Sequence, residues 1–309
     1  MPIERTNVVK FSKLELIAKK IVEGFSTGLH KSPFHGFSVE FAEHRFYNPG
    51  ESTKYIDWKL FARTEKLFVK RFEEETNLRC QIILDNSSSM YFPTDVIAPK
   101  QNKITFAIHT ITALIEIMKK QRDAVGLSIF DTQLQFTTPA KSSIIHHALL
   151  YHKLESLTAL YSNNNLPKET DIVTNLNILA QTLPTRSLIV LFTDAFNTKQ
   201  QTEDLMAALQ HLRHKKHEVI LYHVADYAKE LDFDFENRPY KFVDLETKEI
   251  ITLQNNNIKE FYVEQVRSFW KNLKVRCGSL GIDFVESDIN KSFDVVLLAY
   301  LLKRQKIKN

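Results

Sequence analysis

Short unbroken apolar runs alternate along this chain with longer segments whose apolar residues recur every three to four positions. Cys80 to Leu84, Ala124 to Phe130, Leu188 to Thr193 and Val219 to Val224 are the short runs, and they predict strands buried on both faces. Between them, Ile104, Ala107, Ile108, Ile111, Leu114, Ile115 and Met118 fall on one helical face. A helix follows Pro139, with Ile144, Ile145, Leu149, Leu150, Leu154 and Leu157 expected to point inward. Another begins after Thr174, carrying Leu176, Ile178 and Leu179, and a further one covers roughly 201–215. Gln133 to Thr137 reads as an extra short strand, and Tyr161 to Glu169 as a polar loop. Strands and helices in alternation predict an α/β fold built on a doubly wound, mostly parallel sheet.

The flanks break this rhythm. Phe11 to Phe25 has helical spacing at Leu14, Ile17, Ile21 and Val22. Residues 28–75 are irregular and rich in charge and aromatics, and Gly24, Gly28, Gly36 and Gly50 are four of only seven glycines in the chain. Leu67 to Phe72 alternates with basic residues, and Glu73 to Asn77 turns toward residue 79, which predicts a β-hairpin leading into the first core strand. Phe37, Phe41, Phe46, Trp58 and Phe61 are expected to be buried in a small β-containing subdomain rather than to lie along a linker. After Ala225 a hairpin (Tyr240 to Leu245 with Glu249 to Leu253), a helix over 257–277, a strand from Asp283 to Glu286 and a helix over 292–303 are expected. The division expected is an N-terminal subdomain over 1–77, an α/β domain over 78–225, and a C-terminal part over 226–309 that completes the fold.

Composition narrows the function classes. Hydrophobic content of 43% and charged content of 25% are those of an ordinary soluble globular protein. The net charge of +4 equals the contribution of Lys303, Arg304, Lys306 and Lys308 at the C-terminal end, so the body is near neutral and no nucleic-acid partner is called for. Cys80 and Cys277 are the only cysteines, and Cys80 lies in a core strand, which points to a reducing compartment. No apolar run is long enough to cross a bilayer, so a cytoplasmic protein without direct membrane insertion is expected.

The candidate chemistry begins where the first core strand stops, at Asp85-Asn86-Ser87-Ser88-Ser89. An acid and two hydroxyls at positions one, three and five of a turn suit a hard divalent cation, although a helix-capping turn has the same composition. Asp194 closes a later strand of the same sheet, and Thr174 stands at the start of a helix leading toward it. Loops at the carboxyl ends of strands flanking a switch point open into one crevice, where these side chains can meet.

In this order, DxSxS, Thr and Asp resemble the metal-ion-dependent adhesion site of von Willebrand factor A domains, and residues 78–225 look like such a domain. The block SPFHGFSVEFAEHRFYNPGESTKYIDWKLFARTEKLFVKRFEEE, followed by LDNSSSM, is similar to the bacterial family known as domain of unknown function 58. The later stretches YHVADYAKELDF and FVDLET fit it too. The resemblance implies hydroxyl ligands from Ser87, Ser89 and Thr174, with Asp85 and Asp194 acting mainly through bound water, around Mg²⁺ (Mn²⁺ or Ca²⁺ being alternatives). It further implies a MoxR-type AAA+ ATPase as partner, with a client protein whose acidic group completes the coordination. Arg45, Tyr47, Asp57, Trp58, Arg63, Lys70 and Glu74 match the family block, as a partner-binding surface or as ion pairs bracing an irregular subdomain.

Two functions remain in view: a non-enzymatic, metal-dependent protein-interaction module, and a metal-dependent hydrolase using the same crevice. The second needs a general base near metal-bound water, and no His or Glu stands at the three positions concerned. No GxxxxGK[ST], GxSxG or HExxH motif exists. His211, His214 and His217 are spaced by three, but only the first two share a helix face, and they read as a solvated helix end rather than a zinc site. His146, His147 and His152 follow a helix without a carboxylate companion at ligand spacing. Glu73, Glu74 and Glu75 read as a solvated turn.

Overall fold

A computed structural model describes residues 14–19, 22, 43–47, 56, 58–71, 78–94, 101–162, 170–194, 199–236, 238–245, 249–254, 259–291 and 297. Phe37, Phe41, Asp57 and Glu74 lie outside the described residues, as do the asparagine-rich stretch 163–169 and nearly all of the helix expected over 292–303. By its internal contacts the chain divides into two compact units, Lys31–Asn77 and the remainder, Met1–His30 with Leu78–Asn309.

In the smaller unit, β1 (Glu43–Phe46) pairs antiparallel with β2 (Phe68–Arg71), and α1 (Trp58–Thr64) lies between them in sequence. Phe46 stands opposite Phe68, their rings 4.7 Å apart. Two expectations change here. Phe46 and Trp58 are 60% and 58% exposed rather than buried, so the apolar area assigned to them is largely unburied. And β2 pairs with β1, not with the strand that follows at 79, because that strand has both of its edges taken inside the large sheet.

The larger unit is a mixed α/β structure around a six-stranded, mostly parallel sheet. Its elements are β3 (Arg79–Asp85), α2 (Lys103–Lys120), β4 (Ala124–Phe130), β5 (Leu134–Thr137), α3 (Ile144–Ser162), α4 (Ile172–Thr182), β6 (Leu188–Thr193), α5 (Lys199–His214) and β7 (Glu218–Ala225). A hairpin of β8 (Pro239–Val243) and β9 (Ile250–Gln254), then α6 (Lys259–Ser279) and β10 (Asp283–Asp288), follow. The strand order is β10-β7-β6-β3-β4-β5, parallel throughout except for β5 at one edge. The chain runs outward from β3 through β4 to β5, then returns to the other side of β3 as β6. The switch point therefore lies between β3 and β6, as the strand pattern predicts.

Alternate residues of each strand serve the two faces. Ile83, Ile189, Leu191, Val219 and Leu221 pack with Leu176 and Leu179 of α4, Leu205, Leu209 and Leu212 of α5, and Leu273 and Cys277 of α6. On the sheet's other side α2 contacts β4, β7 and α3. Apart from its last two residues, α2 is buried almost all the way round, its polar Lys103, Thr110, Thr112 and Glu116 included, as expected of a helix enclosed on several sides. Asn102 caps its start, accepting the Thr105 amide at 3.0 Å. A short helical segment over 14–19 is tied to it through Glu15, which bonds Lys119 at 2.8 Å.

The inward face of α3 differs from the one expected. Leu150, Leu154 and Leu157 are buried, but Ile144, Ile145 and Leu149 are exposed, and His146, His147 and Tyr151 take the inner positions. Residues 147, 150, 151, 154 and 157 form the better helical stripe. His146 donates Nε2–H to the Val125 carbonyl at 2.9 Å, which satisfies a histidine on a core face.

Among the described residues, no helix is long and apolar enough to cross a membrane.

Candidate functional site

Each of the five parallel strands ends at an aspartate: Asp85, Asp131, Asp194, Asp226 and Asp288. For Asp131, Asp226 and Asp288 a local reason suffices. Their Oδ1 atoms accept the backbone amides of Gln133 (3.2 Å), Lys229 (3.4 Å) and Asn290 (3.0 Å), which is the turn an Asp side chain builds at a strand end. Asp85 makes that turn too, accepting the Ser87 amide at 2.9 Å, but it does more.

The Asp85 carboxylate is buried at the switch point and held from three segments. Its Oδ2 accepts the Thr193 hydroxyl, at the end of β6, at 2.8 Å. The Thr170 hydroxyl is 3.5 Å from its Oδ1. Ser87 and Ser89 follow in a 3₁₀ turn, their hydroxyls 3.0 Å apart, and the Ser89 hydroxyl bonds the Asp194 carboxylate. Asp85, Ser87, Ser89 and Asp194 thus share one crevice. Ser89 and Thr170 are its half-buried members; Asp85, Ser87 and Asp194 form its floor. In the same turn Asn86 Nδ2 and Ser88 Oγ are buried without a hydrogen-bond partner among the described residues, the kind of orphan that calls for a water or ion nearby.

Thr174 is not a member. Asp171 caps α4, the helix starts at Ile172, and Thr174 is its third residue, its amide bonded to Asp171 Oδ1 and its side chain exposed. The hydroxyl near Asp85 belongs to Thr170, one residue before the cap. The Asp171 amide bonds the Asp131 carbonyl at 3.0 Å, which ties this loop to the end of β4. The signal was present in the sequence: Asp171 followed by Ile172, Leu176, Leu179 and Ala180 marks the cap and the apolar stripe, and so leaves Thr170 outside the helix.

Two charged residues complete the floor. Lys103, 1% exposed, donates to Asp194 Oδ2 and to Glu230 Oε1, both at 2.8 Å. Glu230 belongs to a π-type turn over Tyr227–Leu231 that follows β7, and its Oε2 accepts the Asp226 amide at 2.7 Å. Nothing in the polar pattern marked either residue, since a lysine opening a helix ordinarily faces water.

Electrostatics separates the two aspartates. Burial, then the nearby Asp194 carboxylate, pushes Asp85 up to about 6. Burial acts on Asp194 in the same sense, but the Lys103 ammonium and the hydrogen bonds from Lys103 and Ser89 together hold that carboxyl below its ordinary value. Burial raises Glu230, only partly opposed by Lys103. His223 nearby is pushed down to about 4, chiefly by burial, and is neutral at pH 7. Among the described residues of this network, with the carboxyls ionised, Asp85, Asp194 and Glu230 against the Lys103 ammonium leave two negative charges.

Those residues fit a hard divalent cation. The donors are all oxygen, from two carboxylates and three hydroxyls, and the uncompensated charge equals that of such an ion. Among the described residues no group of three or more His, Cys, Asp and Glu gathers as a metal site, so any ion here would depend on Ser87, Ser89 and Thr170 and on water.

Fold and site together define an α/β protein with a cluster of carboxyl and hydroxyl groups at the switch point of a mostly parallel sheet. The sequence profile of the family described as "Protein of unknown function DUF58" matches residues 43–269, and the chain belongs to that family. Uncharacterised proteins of Mycobacterium tuberculosis and Mycobacterium bovis are 32% identical over 81 residues. That stretch is 26% of this chain and 26% of each relative, so the match spans about a quarter of their length. Among solved structures, an aerotolerance-related membrane protein from Bacteroides fragilis is 19% identical at a TM-score of 0.45, covering 73% of this chain and 99% of that one. The conserved hypothetical protein BatB from Bacteroides thetaiotaomicron is 17% identical at a TM-score of 0.46, covering 74% and 98%.

Proposed function

We propose that this chain is a metal-dependent protein-interaction module with a von Willebrand factor A-type adhesion site, without enzymatic activity of its own. The observation that carries the reading is the convergence of Asp85, Ser87, Ser89, Thr170 and Asp194 on one crevice at the ends of β3 and β6. In this reading the crevice holds Mg²⁺, with Mn²⁺ or Ca²⁺ as substitutes, through the three hydroxyls directly and the two carboxylates largely through water. A coordination position left open toward solvent accepts a carboxylate from a protein partner.

The partner proposed is a MoxR-type AAA+ ATPase, with the chain serving as an adaptor toward a client that carries an acidic group. This follows from the family's resemblance and from the charge of the crevice: without the cation, two carboxylates would repel such a group. A hydrolase in the same crevice needs a free general base. Glu230 is the extra carboxylate tied into this network through Lys103, and both of its oxygens are engaged, by Lys103 and by the Asp226 amide. The interaction reading is therefore preferred.

The test is calorimetric titration of the full chain with a MoxR-type ATPase from the same source, in Mg²⁺, in chelator, and with Asp85→Ala/Ser87→Ala. Binding in Mg²⁺ alone supports the proposal. Equal affinity in all three, with unchanged circular dichroism, reduces the site to a metal-independent surface.

A further inference from the structure

Behind the crevice lies an ion network that ligation alone does not explain. Lys103 is buried and donates to both Asp194 and Glu230. If the ammonium faced Asp194 only, it would cancel that charge and leave Asp85 as the crevice's single negative group. Glu230 changes this balance from outside the oxygen cluster, fixed by the Asp226 amide on one oxygen and by Lys103 on the other.

We propose that Glu230 is a charge-setting residue of the crevice: by offsetting the Lys103 ammonium, it leaves Asp85 and Asp194 with two uncompensated negative charges, matched to a divalent cation that Glu230 itself does not touch. The inference rests on the metal reading given above and deepens it, since it names the pair that sets the preferred charge of the ion. Burial makes the effect large, because in a poorly screened interior a unit charge acts strongly over several ångströms. The turn carrying Glu230 also bears on α6, where the Tyr262 hydroxyl donates to the Glu230 carbonyl at 3.1 Å. A purely structural role, holding that turn against α2, is thus the competing account.

Charge and structure are separated by restoring one without the other. Glu230→Gln keeps the side chain's size and lowers the uncompensated charge from two to one. Lys103→Met/Glu230→Gln loses the whole ion pair yet returns the charge to two. Mn²⁺ uptake by the full chain, read from the loss of the free ion's electron paramagnetic resonance signal, is compared across wild type and both variants, with circular dichroism as the control. Glu230→Gln is expected to weaken Mn²⁺ binding about tenfold or more, the scale of one unit charge removed from a buried site. The double variant is expected to recover to within about threefold of wild type. Wild-type affinity in Glu230→Gln overturns the inference, as does a double variant no tighter than Glu230→Gln. If wild type itself takes up no Mn²⁺, the metal reading fails first and this inference falls with it.

Discussion

The Thr193 hydroxyl donates to Asp85 Oδ2 at 2.8 Å, joining the last residue of β6 to the last residue of β3 across the switch point. This bond and the Ser87 amide hold the carboxyl in a buried place, where burial and Asp194 push its pKa up to about 6. A carboxyl raised on folding stabilises the protein fully below its unfolded value near 3.8, and that contribution is lost as pH rises through about 6. Asp85→Asn is therefore expected to gain stability relative to wild type as pH rises from 4.5 to 7.5, by on the order of 2–3 kcal/mol. Denaturant midpoints of both proteins, taken with chelator present, measure it. A difference independent of pH would contradict the placement of Asp85.

Thr170 and Thr174 offer a sharper discrimination. Thr170 is 3.5 Å from Asp85, whereas Thr174 is exposed on the first turn of α4. Thr170→Ala is expected to weaken Mg²⁺ binding about tenfold, the scale of one lost hydroxyl contact in a buried site, and Thr174→Ala to leave it unchanged. Calorimetric titration of the two variants measures this, and the reverse ranking would return the ligand role to Thr174.

The sheet was legible because buried parallel strands leave short apolar runs that polar loops punctuate, and Asp85 and Asp194 followed from the ends of those runs. Thr174 was misplaced because the cap at Asp171 decides where α4 starts, and an apolar stripe alone leaves that start open by a few residues. Lys103 and Glu230 were missed for a different reason. Charged residues read as solvent-facing until a tertiary partner is known, and their partners lie 91 and 127 positions apart in sequence. On α3, two adjacent isoleucines outweighed two histidines in the apolar pattern, yet His146 and His147 are buried because the stripe through Leu150 and Leu154 includes them.

His147 gives a second pH effect of opposite sign. It is buried, and neither ring nitrogen has a hydrogen-bond partner among the described residues. Burial first, then Lys119 and His146, push it down to about 4, against the opposing pull of Glu15. A base lowered on folding contributes stability that is lost as pH falls from about 6.5 toward 4, because the unfolded chain takes up the proton first. His147→Leu is expected to flatten the acid side of the stability profile measured by thermal unfolding. An unchanged acid slope would show that His147 reaches water.

The central claim is that the crevice at Asp85 binds a divalent cation, and Mg²⁺ titration of the full chain by calorimetry tests it most directly. Wild type is expected to bind Mg²⁺ saturably, and Asp85→Ala/Ser87→Ala to show no binding while keeping the wild-type circular dichroism spectrum. Equal binding in both proteins, or none in wild type, would contradict the account.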